Sequence, residues 1–64
     1  MNYTKKDVEK LAVAIFEDAA KAEKWLHTPI NALNGCTPYS KLRDEEGMDE
    51  VILILNRIAS GEFT

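Results

Sequence analysis

Two side chains, His27 and Cys36, belong to the types that carry nucleophilic catalysis. A histidine can be the base that turns a cysteine thiol into a nucleophile, but such sites also contain a group that orients the histidine. Each type occurs once in this sequence, and the residues around them form no catalytic motif. The helix dipole favours a histidine at a helix C-terminus, and we interpret Cys36 as a small, half-buried apolar residue. We therefore predict that the protein is not an enzyme.

Patterns that bind metal ions or cofactors are also missing from the sequence. A zinc site uses about four Cys, His or acidic ligands in a compact arrangement, which one histidine and one cysteine do not supply. The acidic runs at residues 44–46 and 49–50 lack the spacing of a calcium-binding loop. The three glycines are scattered, so they form no phosphate-binding loop. We expect no metal and no cofactor, and we interpret the chain as a binding module.

The charge distribution argues against nucleic acid as a direct partner. The net charge is −3 and the isoelectric point is about 5, whereas a nucleic-acid-binding domain needs a clustered basic surface. Residues 1–43 contain seven Lys or Arg and five Asp or Glu, a net +2, and residues 44–64 contain one and six, a net −5. The acidic end indicates either a solvated helix face or a surface for a basic partner.

Length and hydropathy limit the architecture and the location. A chain of 64 residues has room for one domain, so we expect a single domain over residues 1–64. One cysteine cannot form an internal disulfide, and the first residues contain no apolar signal core. No apolar run approaches the roughly 18 residues that span a bilayer. We expect a cytoplasmic protein without membrane contact, and self-association is a common way to stabilise so small a domain.

Capping residues and helical periodicity predict an all-α fold with about four helices. The expected helices cover residues 4–17, 19–27, 38–43 and 45–59. Thr4 followed by Asp7 resembles a capping box, and Asp18 is a candidate cap for the second helix. One continuous helix from residue 4 to residue 27, bent near Asp18, is an alternative that the sequence leaves open.

Residues 31–38 predict a packed corner between the two halves of the chain. Asn34-Gly35 is a strong break signal, because both residues tolerate left-handed backbone conformations. Thr37-Pro38 is a start signal, since the threonine hydroxyl can accept from a free amide and proline suits the first position of a helix. The apolar residues between them indicate that the corner lies against the core.

The last predicted helix has a broad apolar arc. Its members, at 100° per residue, are Met48, Val51, Ile52, Ile54, Leu55, Ile58 and Ala59. Leu53 falls on the opposite side, among polar residues. An arc wider than one small core needs, together with this leucine, favours a second burial surface for a dimer or a bound partner. Gly47 in the first turn indicates close packing on a neighbour, and Gly61 stands where a C-terminal cap is expected.

An ordered series of residues extends along most of the chain. It comprises Phe16, Ala22 to Leu26, Pro29, Asn31 to Pro38, Leu42, Gly47, Val51, Leu55, Arg57-Ile58 and Gly61. Over about residues 12–62 the series resembles the Xre/MbcA/ParS toxin-binding domain, the C-terminal half of antitoxins that neutralise RES-domain toxins. Glu17 and Cys36 depart from the family's pattern, which often has a glycine and a basic residue, respectively, at these places.

The resemblance implies an all-helical domain that forms a homodimer and binds a RES-type toxin, an enzyme that degrades NAD or transfers parts of it. Family members typically also carry an N-terminal helix-turn-helix DNA-binding domain, which is absent from this sequence. We therefore expect an immunity-type protein if the chain is complete, and the usual antitoxin if it is a fragment. The alternative is a small helical dimerisation or adaptor domain with no toxin partner.

In such complexes the C-terminal end of the antitoxin approaches the toxin's active-site cleft. Carried over to this sequence, the resemblance implies toxin contact by Arg57, Gly61 and the tail Glu62-Phe63-Thr64. A cleft that holds NAD must accept a pyrophosphate and a flat ring. The carboxylates of the tail and the ring of Phe63 are an anionic and aromatic substitute for these groups.

Leu53 is a second candidate for partner contact, as an apolar anchor with Glu50 and Arg57 beside it. The other large apolar side chains stand at helical spacing next to caps and turns, so we assign them to the core. These core residues are Trp25, Leu26, Leu33, Leu42, Val51, Leu55 and Ile58.

Overall fold

The computed structural model describes residues 3–61, and its elements confirm the all-α prediction. Three α-helices, α1 (Lys5–Phe16), α2 (Ala19–Leu26) and α3 (Glu45–Ala59), account for most of this part of the chain. Two one-turn 3-10 helices, Asn31–Leu33 and Tyr39–Lys41, lie between α2 and α3. Within residues 3–61, no helix is both long and apolar enough to cross a lipid bilayer.

A capping box begins α1, as the sequence predicts. The backbone N–H of Asp7 donates to Thr4 Oγ1 at 3.3 Å, and the backbone N–H of Thr4 donates to Asp7 Oδ2 at 2.8 Å. Each side chain thereby satisfies an amide that has no partner inside the helix. The start of α1 is therefore fixed by two residues that are only three positions apart in sequence.

The boundary between α1 and α2 resolves the alternative that the sequence leaves open, because the two helices are separate. Glu17 ends α1 in a left-handed conformation with φ of 58°, and its N–H donates to the carbonyl of Val13 at 2.7 Å. Asp18 Oδ1 then accepts from the backbone N–H groups of Ala20 and Lys21 at 2.8 and 3.1 Å. The left-handed residue Glu17 ends one helix and the Asp18 cap begins another, so the helix is not continuous.

The predicted corner is present and packed. Asn34 and Gly35 both have left-handed backbones, with φ of 58° and 84°. The N–H of Ile30 donates to the carbonyl of Cys36 at 3.2 Å and closes the loop between them. Leu33 and Pro38 are both buried, so the corner contributes to the core.

The helix predicted at residues 38–43 is a single 3-10 turn, Tyr39–Lys41. Its start signal is correct, because the N–H of Ser40 donates to Thr37 Oγ1 at 3.1 Å. The Ser40 hydroxyl in turn donates to the carbonyl of Thr37 at 2.7 Å. Asp44 caps α3 so soon afterwards that no second turn can follow. The prediction placed the element correctly and made it too long.

The core takes residues from all three helices and from the two segments between α2 and α3. Its buried members are Val8, Ala12, Ala22, Leu26, Leu33, Leu42, Val51, Ile54 and Leu55. Five of the seven predicted core residues are therefore buried. The other two, Trp25 and Ile58, pack against the cluster while keeping part of their surface exposed. The rings of Trp25 and Phe16 lie 5.7 Å apart and join α2 to the end of α1.

Candidate partner-binding surface

Helix α3 has one buried side and one exposed side. Val51, Ile54 and Leu55 are buried, so the opposite side of the helix faces outward. Three residues of that side, at i, i+3 and i+7, form what we call the outer stripe: Glu50, Leu53 and Arg57. All three are exposed, and Leu53 keeps 53% of its surface accessible. The helical phase assigned to Leu53 from the sequence is confirmed.

The width of the apolar arc on α3 has a different explanation from the predicted second burial surface. Met48, Ile52 and Ile58 are half-buried and pack against the domain's own core. Ala59, the last member of the arc, is exposed but small. Since α3 packs against both α1 and the second 3-10 turn, a wide arc is needed to cover these contacts. Leu53 is the large apolar residue of α3 that does not pack against the core.

Glu50 has a partner that sequence reasoning missed. Lys41 Nζ, from the second 3-10 turn, lies 3.8 Å from Glu50 Oε1, and the two side chains are 33% and 54% exposed. An exposed pair at this distance contributes at most about 1 kcal/mol. Its effect is on the charge of the surface, because the negative charge of Glu50 is offset at this end of the stripe. No local sequence signal identifies the pair, since packing of the turn on α3 brings it together.

A polar groove of about 450 Å³ lies beside this ion pair. Its lining includes basic groups from the turn, acidic groups from α3 and the exposed thiol: Lys41, Arg43, Asp44, Glu46, Glu50 and Cys36. Cys36 is exposed, so the prediction that it is half-buried was wrong. The loop that it closes with Ile30 uses its backbone and leaves its side chain outside the core.

His27 lies apart from α3, at the C-terminus of α2. Its backbone N–H donates to the carbonyl of Glu23 at 3.2 Å, which is the helix-end position expected from the sequence. The imidazole stacks on Tyr39, with ring centroids 4.7 Å apart and an angle of 33° between the planes. This contact gives the histidine a packing role against the second 3-10 turn.

The outer stripe leads to a sharp reversal of the chain. Ser60 caps α3, and Gly61 follows with a left-handed φ of 82°, as its predicted capping position requires. The N–H of Gly61 donates to the carbonyl of Ile58 at 3.1 Å, and the Ser60 hydroxyl donates to the carbonyl of Arg57 at 3.0 Å. These two bonds hold Ser60 and Gly61 against the last turn of α3, which contains Arg57. Three further predicted contact residues, Glu62, Phe63 and Thr64, lie outside the described residues.

The sequence of the chain is similar to that of a known protein family. The profile of the antitoxin Xre/MbcA/ParS C-terminal toxin-binding domain matches residues 11–61, which include the corner, the outer stripe and Gly61. The antitoxin Xre of Pseudomonas putida strain KT2440 is 35% identical over 54 residues, which cover 84% of this chain and 34% of that protein. The chain thus spans about a third of the length of this curated relative. No solved structure matches it. The chain belongs to the family of Xre/MbcA/ParS C-terminal toxin-binding domains.

Proposed function

We propose that this protein is an antitoxin or immunity-type protein that binds and blocks a RES-domain toxin, an enzyme that consumes NAD. Membership of a toxin-binding family supports the kind of partner. The observation that carries the choice of surface is the exposure of Leu53, a large apolar residue in the middle of α3 with charged neighbours at i−3 and i+4. A central apolar residue inside a polar rim is the usual anatomy of a protein–protein contact.

The C-terminal tail is the second part of the proposed contact. The tail follows the left-handed turn at Gly61 in sequence, and we assign it to the same contact as Arg57. Glu62 and Phe63 supply the negative charge and the ring that suit a cleft built for a pyrophosphate and a flat ring. Leu53 anchors the domain on the toxin, and the tail covers the cleft where NAD binds.

Co-expression with a RES-type toxin tests this proposal. Cells that carry both proteins should grow and keep their NAD level, whereas cells with the toxin alone should lose NAD and stop growing. Leu53→Asp should abolish protection, because it puts a charge at the centre of the contact. Ala14→Asp, which adds the same charge at an exposed position of α1, is the matched control and should protect fully.

The alternative, a dimerisation domain with no toxin partner, uses the same exposed leucine. In that case Leu53→Asp converts a dimer into a monomer, and the wild-type chain gives no protection against the toxin. Analytical ultracentrifugation of both proteins, compared with the NAD measurements, separates the two functions. A homodimer formed elsewhere on the molecule is compatible with the first proposal, and Leu53→Asp then leaves the dimer intact.

A further inference from the structure

A second groove, of about 370 Å³, runs between α1 and α2. We call it the α1–α2 groove, and it is lined by Glu9, Val13, Ala19, Ala22, Glu23, Leu26, His27 and Tyr39. Apolar side chains from both helices form its floor. Among them is Val13, which keeps 38% of its surface exposed and is the one large apolar residue besides Leu53 that residues 3–61 leave in solvent. The groove lies on α1 and α2 and contains no residue of the outer stripe.

Two acidic residues are among those that line the groove. Glu9 belongs to α1 and Glu23 to α2, so each helix contributes one carboxylate. Neither has an ion-pair partner in the part of the chain that the structure describes. Lys5 Nζ lies 4.0 Å from the centre of the Tyr39 ring, which lines the same groove, and forms no ion pair with either carboxylate within residues 3–61. The groove therefore combines apolar lining residues with two carboxylates that form no ion pair among the described residues.

From this combination we propose that the α1–α2 groove is a docking site for a basic amphipathic segment of a partner protein. An apolar side chain of the segment packs on Val13 and Leu26, and lysine or arginine side chains on either side of it reach Glu9 and Glu23. Long basic side chains suit this role, because their alkyl stems lie along apolar surface while the charged ends meet the carboxylates. The proposal goes beyond toxin neutralisation and gives the domain a second interaction surface.

Charge complementarity favours this occupant over the acidic C-terminal part of a second copy of the chain. The end of the chain from residue 44 onward has a net charge of −5, so α3 of another copy would bring negative charge against Glu9 and Glu23. A neutral apolar segment would leave both carboxylates unpaired at the edge of a contact that removes water. A basic amphipathic segment covers the apolar floor and also supplies ion-pair partners for both carboxylates.

Titration with synthetic helical peptides, followed by the amide resonances of the 15N-labelled full chain, tests the site. Three peptides carry the same leucines at helical spacing and differ only in the flanking residues, which are arginine, glutamine or glutamate. The arginine peptide should shift the resonances of Val13, Glu23 and His27 at submillimolar concentration. Glu9→Gln and Glu23→Gln should each weaken its binding by about fivefold. Asp49→Asn, which removes an exposed carboxylate from α3, should leave binding unchanged.

Three results would overturn the proposal: equal binding of the arginine and glutamine peptides, shifts that map to α3, or no shift at millimolar arginine peptide. A wild-type dimer that excludes the peptide and dissociates on Val13→Asp would assign the groove to a second copy instead. The toxin assay keeps the two proposals apart. Glu9→Gln and Glu23→Gln should still protect NAD, and Leu53→Asp should still bind the arginine peptide.

Discussion

The Cα of Gly47, in the first turn of α3, faces the backbone carbonyl of Lys41 so closely that a Cβ at this position would overlap the carbonyl oxygen. The Gly47 N–H donates to Asp44 Oδ1 at 2.7 Å, so the same residue also receives the helix cap. Only glycine allows the turn and the helix to approach at this distance. The contact confirms the close packing predicted for Gly47, and it holds Lys41 within reach of Glu50.

Gly47→Ala should therefore destabilise the protein, although alanine is the better helix former by about 1 kcal/mol. The obstacle is a backbone oxygen, which cannot move away as the end of a side chain can. We expect the free energy of unfolding to fall by about 2 kcal/mol, the usual cost of overpacking. Urea denaturation followed by circular dichroism measures this change.

Asp49→Ala is the matched control for Gly47→Ala, because it introduces the same residue at an exposed position of the same helix. Its stability should stay within about 0.5 kcal/mol of wild type. A Gly47→Ala variant as stable as Asp49→Ala would contradict the close approach between Gly47 and Lys41.

Glu17→Gly should make the protein more stable. Glu17 has a left-handed backbone with φ of 58°, which strains a residue with a Cβ and costs glycine nothing. We expect a gain of about 1 kcal/mol in the free energy of unfolding, reduced by the greater freedom of glycine in the unfolded chain. Glu17→Ala keeps the Cβ and should show no such gain, so equal gains in both variants would exclude relief of backbone strain.

Leu53 and Leu55, two positions apart on α3, should differ strongly in how much stability a substitution costs. Leu55 is fully buried, so Leu55→Ala should cost about 3 kcal/mol and lower the thermal midpoint sharply. Leu53→Asp changes an exposed residue and should cost under about 1 kcal/mol. Thermal unfolding of both variants checks the assignment. A large loss of stability for Leu53→Asp would mean that Leu53 belongs to the core.

Removal of residues 61–64 should separate folding from function. The deleted segment begins after the Ser60 cap, and the buried core residues that the structure describes between residues 3 and 61 all precede it. The thermal midpoint should therefore stay close to that of the full chain, while protection against the toxin is lost. A truncated protein that still protects NAD fully would exclude insertion of the tail into the cleft.

Much of this fold can be predicted from the sequence, because its boundaries are set by local chemistry. Thr4, Asp18 and Asp44 each accept hydrogen bonds from amides two or three residues ahead, and Gly61 adopts the backbone that its position requires. Such signals need no knowledge of tertiary structure. The phase of α3 follows in the same way, which is why Leu53 was correctly placed outside the core.

The features that escaped prediction depend on contacts between segments that are distant in sequence. The ion pair of Lys41 with Glu50 and the α1–α2 groove arise only when separate elements pack together. The exposure of Cys36 likewise depends on how the corner loop closes on Ile30. Periodicity predicts which side of a helix is apolar, but it does not say what that side contacts. The excess width of the apolar arc on α3 was therefore taken as a sign of a second burial surface, although the domain's own core uses it.

The most direct test of the central claim is a titration of a purified RES-type toxin with this protein, with the rate of NAD consumption as the readout. We predict that the rate falls in proportion to the protein added and reaches zero near one domain per active site. Leu53→Asp should have little effect at the same concentrations. An unchanged rate of NAD consumption at a large excess of the folded wild-type chain would contradict the claim that this domain works by blocking such an enzyme.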